Sequence, residues 1–188
     1  EDKLEINSKF GSNARKNWYY STLLNFQTQF FKVYDYSTYS NDPISGFLAP
    51  ASLVFSVGMD YKTSDQLTIL LSPVSSKFTI MRDTVKFDQT KFGIGKNEKV
   101  KKELGAYVKS IFTIDFTDKI RMENKANVFF NYLSKIEFPP DIDYEVTLKM
   151  EVTELINTTI NTHLIFDRDV SNKIQFKENL SVGLSYKF

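Results

Sequence analysis

One histidine, His163, is the residue of this chain best suited to proton transfer near neutral pH. It stands in a row of polar side chains at alternate positions, Asn157, Asn161 and His163. A general base needs a nucleophile to activate and an acid to orient it. No Gly-x-Ser-x-Gly elbow is present, and no serine or acid can be assigned to His163 from the sequence. His163 therefore reads as a hydrogen-bonded lining residue, and no catalytic role is expected. The chain has no cysteine, which excludes a disulfide framework, a thiolate metal site and a cysteine nucleophile. Asp167 and Asp169 offer carboxylate oxygens of the kind Ca²⁺ accepts, but no further ligands follow at spaced positions, so no metal or cofactor is assigned.

The remaining charges alternate with apolar residues. Lys9, Lys109, Arg121, Lys125, Lys149, Lys177 and Lys187 share one face with Glu5, Asp60, Asp115, Glu123, Glu145 and Glu151. Asp115 is expected opposite Arg121 across a three-residue turn, and Glu123 and Lys125 beside Glu145, Lys149 and Glu151. The plain reading is a wetted, self-neutralising lining; the sharper one is a narrow solute path with the charges as a filter. The near balance of signs argues against a strongly selective ring. Net charge over the chain is +1, which gives no reason to expect nucleic acid.

The elements that carry these residues follow a period of two, which marks strands with one apolar face. It recurs over residues 4–10, 18–31, 49–61, 67–74, 105–116, 120–132, 143–152, 156–166 and 176–188. In the seventh segment Tyr144, Val146, Leu148, Met150 and Val152 oppose Glu145, Thr147, Lys149 and Glu151. In the ninth, Leu180, Val182, Leu184, Tyr186 and Phe188 oppose Asn179, Ser181, Gly183, Ser185 and Lys187. The fourth is the least regular, with Leu67, Ile69 and Leu71 as its apolar row. Parity lets Phe116 pair with Ile120, Val152 with Ile156, and Tyr61 with Leu67 across short turns. The alternate connections are long; the longest, residues 75–103, is rich in lysine and reads as a solvated loop that could also fold into a mouth.

No apolar run approaches the ~20 residues of a membrane helix, but a barrel crosses with strands that are apolar on one face only. Outward aromatics band at the strand ends: Trp18, Tyr20, Tyr61, Phe116, Tyr186 and Phe188 by the short turns, and Tyr132, Tyr144, Phe166 and Phe176 by the long loops. Two such girdles suit the two interfaces of a bilayer. A soluble β-sandwich also alternates, but needs neither banded aromatics nor strands of about 10 to 13 residues. The pattern predicts an all-β, antiparallel up-and-down transmembrane β-barrel, one domain over residues 1–188. Three outward polar residues interrupt the apolar face: Asn124, Thr158 and Thr162. An unpaired amide in hydrocarbon is costly, so Asn124 is expected near an interface or against a partner protein.

The chain ends Ser181-Val182-Gly183-Leu184-Ser185-Tyr186-Lys187-Phe188. This resembles the C-terminal signal of outer-membrane barrels: a polar residue (Ser181), Gly183 two places on, an aromatic at Tyr186 and a terminal aromatic at Phe188. The resemblance implies recognition by the barrel-assembly machinery. Further stretches resemble a family of Bacteroidota outer-membrane proteins known as a domain of unknown function. They are Trp18-Tyr19-Tyr20-Ser21, Leu24-Asn25-Phe26, Leu48-Ala49-Pro50-Ala51, Val57-Gly58-Met59-Asp60-Tyr61-Lys62 and Leu71-Ser72-Pro73. Later come Gly105-Ala106-Tyr107-Val108-Lys109, Asn131-Tyr132-Leu133, His163-Leu164-Ile165-Phe166-Asp167 and Gln175-Phe176-Lys177-Glu178.

The resemblance spans the chain and implies a Gram-negative outer membrane, with the C-terminus periplasmic; it brings no activity. Nine strands from a periplasmic end would start the first at the outer surface, so an odd number of strands is expected before Glu1, about 12 in the complete barrel. Expected partners are outer-membrane lipid and lipopolysaccharide, the assembly machinery, and other outer-membrane proteins. The functional expectation is a porin-like channel for small solutes. The alternative is a structural or accessory barrel docked to a larger assembly, and the remotest is a hydrolase of lipid or lipopolysaccharide.

Overall fold

The computed structural model describes residues 4–34, 43–134 and 139–184. Among these the chain is all-β. Nine strands form one antiparallel up-and-down sheet: β1 (Leu4–Arg15), β2 (Trp18–Thr28), β5 (Ala51–Ser64), β6 (Leu67–Ile80), β7 (Val100–Thr117), β8 (Ile120–Asn131), β9 (Asp141–Glu151), β10 (Ile156–Phe166) and β11 (Gln175–Leu184). A small hairpin of β3 (Val33–Tyr34) and β4 (Pro43–Ser45) lies in the β2–β5 connection. The only helical turn among the described residues is a 3₁₀ turn at Gln89–Phe92. Every main strand pairs with its neighbour in sequence. The sheet is not closed: among the described residues β1 pairs only with β2, and β11 only with β10.

The alternation sets the two faces. Leu24, Phe55, Val57, Leu71, Phe112, Phe130, Leu180 and Val182 are exposed on one. On the other, Leu23, Val54, Leu70, Tyr107 and Phe129 from five consecutive strands meet in a small buried cluster. Buried polar residues Ser21, Asn25, Ser56, Asp60, Ser72 and Ser75 surround it. The sheet curls toward this second face. Lys77 of β6 lies 2.7 Å from Asp141 of β9, yet three inter-strand steps of about 4.8 Å would set these strands about 14 Å apart in a flat sheet.

Two glycines permit the tight curl. A Cβ at Gly58 would stand 2.1 Å from the Leu71 carbonyl oxygen, and one at Gly105 2.0 Å from that of Phe130. Only a residue without a side chain allows backbones this close. Opposite Gly58, the register shifts on both sides of β6, between Leu71 and Val74 against β5 and between Ser72 and Ser75 against β7, a bulge that holds Pro73. The Ser72 hydroxyl donates to the Val57 carbonyl at 2.7 Å and lies 2.8 Å from the Ser75 hydroxyl, so side chains replace the interrupted ladder. This is why β6 runs on to Ile80 instead of ending near Val74, and why β7 begins at Val100.

Register differs from expectation at two turns. Tyr61 pairs with Ile69, not Leu67, because β5 and β6 extend to a Ser64–Leu67 pair beyond an irregularity at residues 62–64. Phe116 is skipped in a bulge, and Thr117 pairs with Ile120. At the third turn the Val152 N–H donates to the Ile156 carbonyl at 2.9 Å, as parity requires. Short connections fall at one end of the sheet and long ones at the other. The 81–99 connection is not simply solvated: Met81, Phe87 and Ile94 bury against Ala49 of the β2–β5 connection.

Candidate functional site

The polar face of the curled sheet borders a half-open cavity of about 480 Å³ near the long-connection end. Its wall takes residues from β2 round to β11, among them Asn25, Tyr107, Asn127, Glu145 and His163. Phe92, from the 3₁₀ turn, also reaches it, so the long lysine-rich connection does fold toward the mouth. Asp88 caps that turn: its carboxylate accepts from the Thr90 hydroxyl at 2.5 Å and the Thr90 N–H at 3.0 Å. These two bonds, the hydroxyl first, hold the Asp88 carboxyl below its usual range.

The mouth is bridged by ion pairs. The Lys77 ammonium sits 2.7 Å from Asp141 and 3.4 Å from Asp167 of the β10–β11 connection, and 5.7 Å from the centre of the Phe129 ring. Lys101 of β7 contacts Glu103 at 2.9 Å and also pairs with Asp169. Gly93 lies against Asp169, where a Cβ would stand 2.7 Å from the aspartate Cβ. The β10–β11 connection is thus tied to strands on the far side of the cavity. Deeper in, the Lys9 ammonium meets the buried Asp60 at 2.5 Å.

The lining residues expected from sequence fall as follows. Asp115 and Arg121 pair in register, with Arg121 Nε donating at 2.8 Å and Nη2 at 3.4 Å, both side chains exposed. Lys125 pairs with Glu123 at 2.9 Å on its own strand. Glu145 accepts from Asn161 Nδ2 at 2.6 Å, and His163 Nε2 lies 2.9 Å from Asp143. Lys109 registers with Asn127, Lys149 with Arg121 and Thr159, and Glu151 with Asn157. The near balance of signs over the whole face hides an uneven distribution: Asp141, Asp143, Glu145, Asp167 and Asp169 all line the mouth cavity, against one lysine, Lys77.

On the apolar face, Trp18 and Tyr61 are paired neighbours with ring centres 4.8 Å apart. Tyr20, Phe116, Tyr132, Tyr144 and Phe176 are exposed, and Phe166 is half-buried. Asn124 is not orphaned, since its Oδ1 accepts from the Tyr144 hydroxyl at 3.0 Å and its Nδ2 donates to the Phe112 carbonyl at 3.4 Å. Of the C-terminal motif, Ser181 and Gly183 lie in β11, opposite Thr159 and Asn157; Tyr186 and Phe188 lie outside the described residues. Sequence reasoning missed Lys77, Lys101, Glu103, Asp141 and Asp143 as mouth residues. Period-two alternation puts Tyr107 on the inward face, where it lies, but Phe129 was missed, although its large side chain at inward parity was the available signal.

The family described as Protein of unknown function (DUF3078) matches residues 1–34. That stretch covers β1 and β2 and carries neither a source organism nor a cellular address. No curated protein and no solved structure matches the chain.

Proposed function

We propose that this protein is an integral β-barrel of a bacterial outer membrane. Its curled sheet forms the wall, its apolar face meets lipid, and its polar face lines a narrow interior for small solutes. One observation carries the reading. All nine strands show apolar side chains on the same face, with no second layer over them among the described residues. Phe10 is 75 % exposed, Leu180 70 % and Leu184 85 %. Exposed apolar patches on soluble proteins rarely exceed about a few hundred Å², whereas exposed apolar side chains here recur on one face from β1 to β11. Strands of 10 to 18 residues are long enough to cross a bilayer when tilted. The girdle aromatics, the one-sided loop lengths and the C-terminal motif support the same address, with lipopolysaccharide and the assembly machinery as partners.

A second reading, an accessory barrel within a larger outer-membrane assembly, is favoured by the ion pairs that bridge the mouth. The natively purified protein separates the two. A folded band that shifts on boiling, in the outer-membrane fraction, supports the barrel. Discrete conductance in planar bilayers then supports a solute path, and silence together with co-purified membrane proteins supports the accessory role. A soluble protein with no heat-dependent shift would overturn both.

A further inference from the structure

The half-open cavity of about 480 Å³ has the size of a small-molecule site, for which about 300–1,000 Å³ is usual. Its lining sorts into a floor and two walls. The floor is apolar: Tyr107 of β7 and Phe129 of β8 are register partners, and Val54 of β5 joins them. Phe92, half-buried, enters from the 81–99 connection, where it packs on the cluster of Ala49, Met81, Phe87 and Ile94.

On one wall the register sets Gln27 of β2, Ser52 of β5 and Thr79 of β6 side by side. All three are half-buried and line the cavity. Neighbouring strands lie about 4.8 Å apart, so this row offers an amide and two hydroxyls at short, even intervals. The Ser52 and Thr79 hydroxyls make no hydrogen bond among the described residues, and neither oxygen is sealed from solvent. On the other wall, Asn127 of β8 and Asp143 of β9 are register partners. Asn127 Oδ1 accepts from the Tyr107 hydroxyl at 2.8 Å, which leaves its Nδ2 donors to the cavity. Asp143 meets His163 through Oδ1 at 2.9 Å, which leaves Oδ2 as an acceptor.

The charges of the mouth are already engaged with one another. Lys77 bridges Asp141 and Asp167, and Lys101 holds Asp169. A cationic ligand would have to displace these lysines. An anionic one would meet an excess of carboxylates, and like charges brought together are costly. An uncharged ligand does neither. It must give apolar surface to the floor and to Phe92, and several hydroxyls, each both donor and acceptor, to unlike groups on two walls. A sugar ring carries C–H groups on its faces and hydroxyls around its rim.

We infer that this cavity binds a neutral mono- or disaccharide, with Phe92 against a ring face and Ser52, Thr79, Asn127 and Asp143 on its hydroxyls. The inference names the solute class for the polar interior proposed above, and it rests on that interior being open to solutes.

The test is calorimetric titration of the folded full-length protein, in a detergent without a sugar headgroup, with maltose, lactose and cellobiose as probes. The expected result is saturable, millimolar or tighter binding of at least one of them. Glucose competes with it, and glucuronate, the same ring with a carboxylate, competes at least about tenfold less well. Ser52→Ala and Thr79→Val each weaken binding about threefold to tenfold, the effect of one lost hydrogen bond. Phe92→Ala weakens it about twofold to tenfold, and Phe92→Tyr retains it. The Ser52 and Thr79 hydroxyls have no protein partner among the described residues, so those two variants keep the test decisive if Phe92→Ala loosens its connection. Absence of saturable binding by all three disaccharides would overturn the inference. So would binding that none of the three weakening variants changes, or glucuronate competing as well as glucose. A heat-modifiable barrel blind to saccharides removes this inference and leaves the membrane reading standing; a soluble chain that binds one in this way does the reverse.

Discussion

Val57 lies near the middle of β5 on the apolar face, between Phe55 and Met59, and pairs with Thr22 on one side and Val74 on the other. It is 45 % exposed. Val57→Arg leaves the ladder and the polar face untouched and changes only what meets the surroundings. On a water-facing sheet such a surface substitution stays within about 0.5 kcal/mol. In a bilayer the same arginine near the midplane costs about 2–4 kcal/mol. That is a factor of roughly 30 to several hundred in the folding equilibrium. Leu155→Arg, in the exposed β9–β10 turn, is the depth control, with about 0–1 kcal/mol expected near an interface. The assay is urea-dependent folding into phosphatidylcholine vesicles, with folded fraction read from heat-modifiable migration and from the emission of the single tryptophan, Trp18. If Val57→Arg and Leu155→Arg behave alike and close to the parent chain, the face does not meet lipid, and the membrane reading is wrong.

Gly105→Ala forces a Cβ to within 2.0 Å of the Phe130 carbonyl oxygen and 3.0 Å of the Phe129 ring. It should cost about 1–3 kcal/mol or more in urea unfolding, while Gly183→Ala, with its nearest atom at 3.9 Å, should be close to neutral. Lys77→Met leaves Asp141 and Asp167 facing each other without their shared cation. Both carboxylates are partly solvated, so the expected loss is about 1–3 kcal/mol, below that of a fully buried pair. Asp141→Asn should cost less, because Lys77 keeps Asp167, and equal costs would refute the bridging role. Asp88 has its carboxyl depressed by Thr90, so its capping bonds are fully present above the ordinary carboxylate range of about 3.9 and are lost as pH falls through the lower folded value. Titrating the Thr90 amide by NMR should show this, and Thr90→Val should move the Asp88 titration back up.

The nine strands were legible because a single-layer sheet writes its two faces directly into alternate residues. Asp115 opposite Arg121 followed from turn parity alone. The errors lie where local chemistry breaks the period. Pro73 reads as a strand end, yet the Ser72–Ser75 bulge absorbs it, and the strand continues through Lys77 to Ile80. With β6 cut short and β7 begun late, Lys77, Lys101 and Glu103 were assigned to a loop. The mouth therefore could not be assembled from sequence. Nor could Asp141 be joined to Asp167 and Asp169, because their meeting depends on curl across several strands, which pairing rules between neighbours do not contain. Phe129 escapes a reading in which the inward face is wholly polar, whereas the steep curl packs it, with the inward Tyr107, against Leu23, Val54 and Leu70.

The two edges of the sheet sharpen the membrane reading. In hydrocarbon each unpaired backbone N–H or C=O costs several kcal/mol, so lipid does not tolerate a free edge. β1 and β11 both start at the long-connection end and therefore run parallel. Joining them directly would place one parallel seam in an otherwise antiparallel sheet, whereas an odd number of further strands between them would keep every pair antiparallel. The chain has no native cysteine, which makes the choice measurable. Paired cysteines at Asn7 and Asn179, both on the polar face, would be neighbours only across a direct seam. A sheet that stays antiparallel throughout predicts no disulfide between them in the membrane-inserted protein, with heat-modifiable migration intact. Rapid, high-yield oxidation of that pair would show that β1 and β11 meet, and the nine strands would then close on themselves.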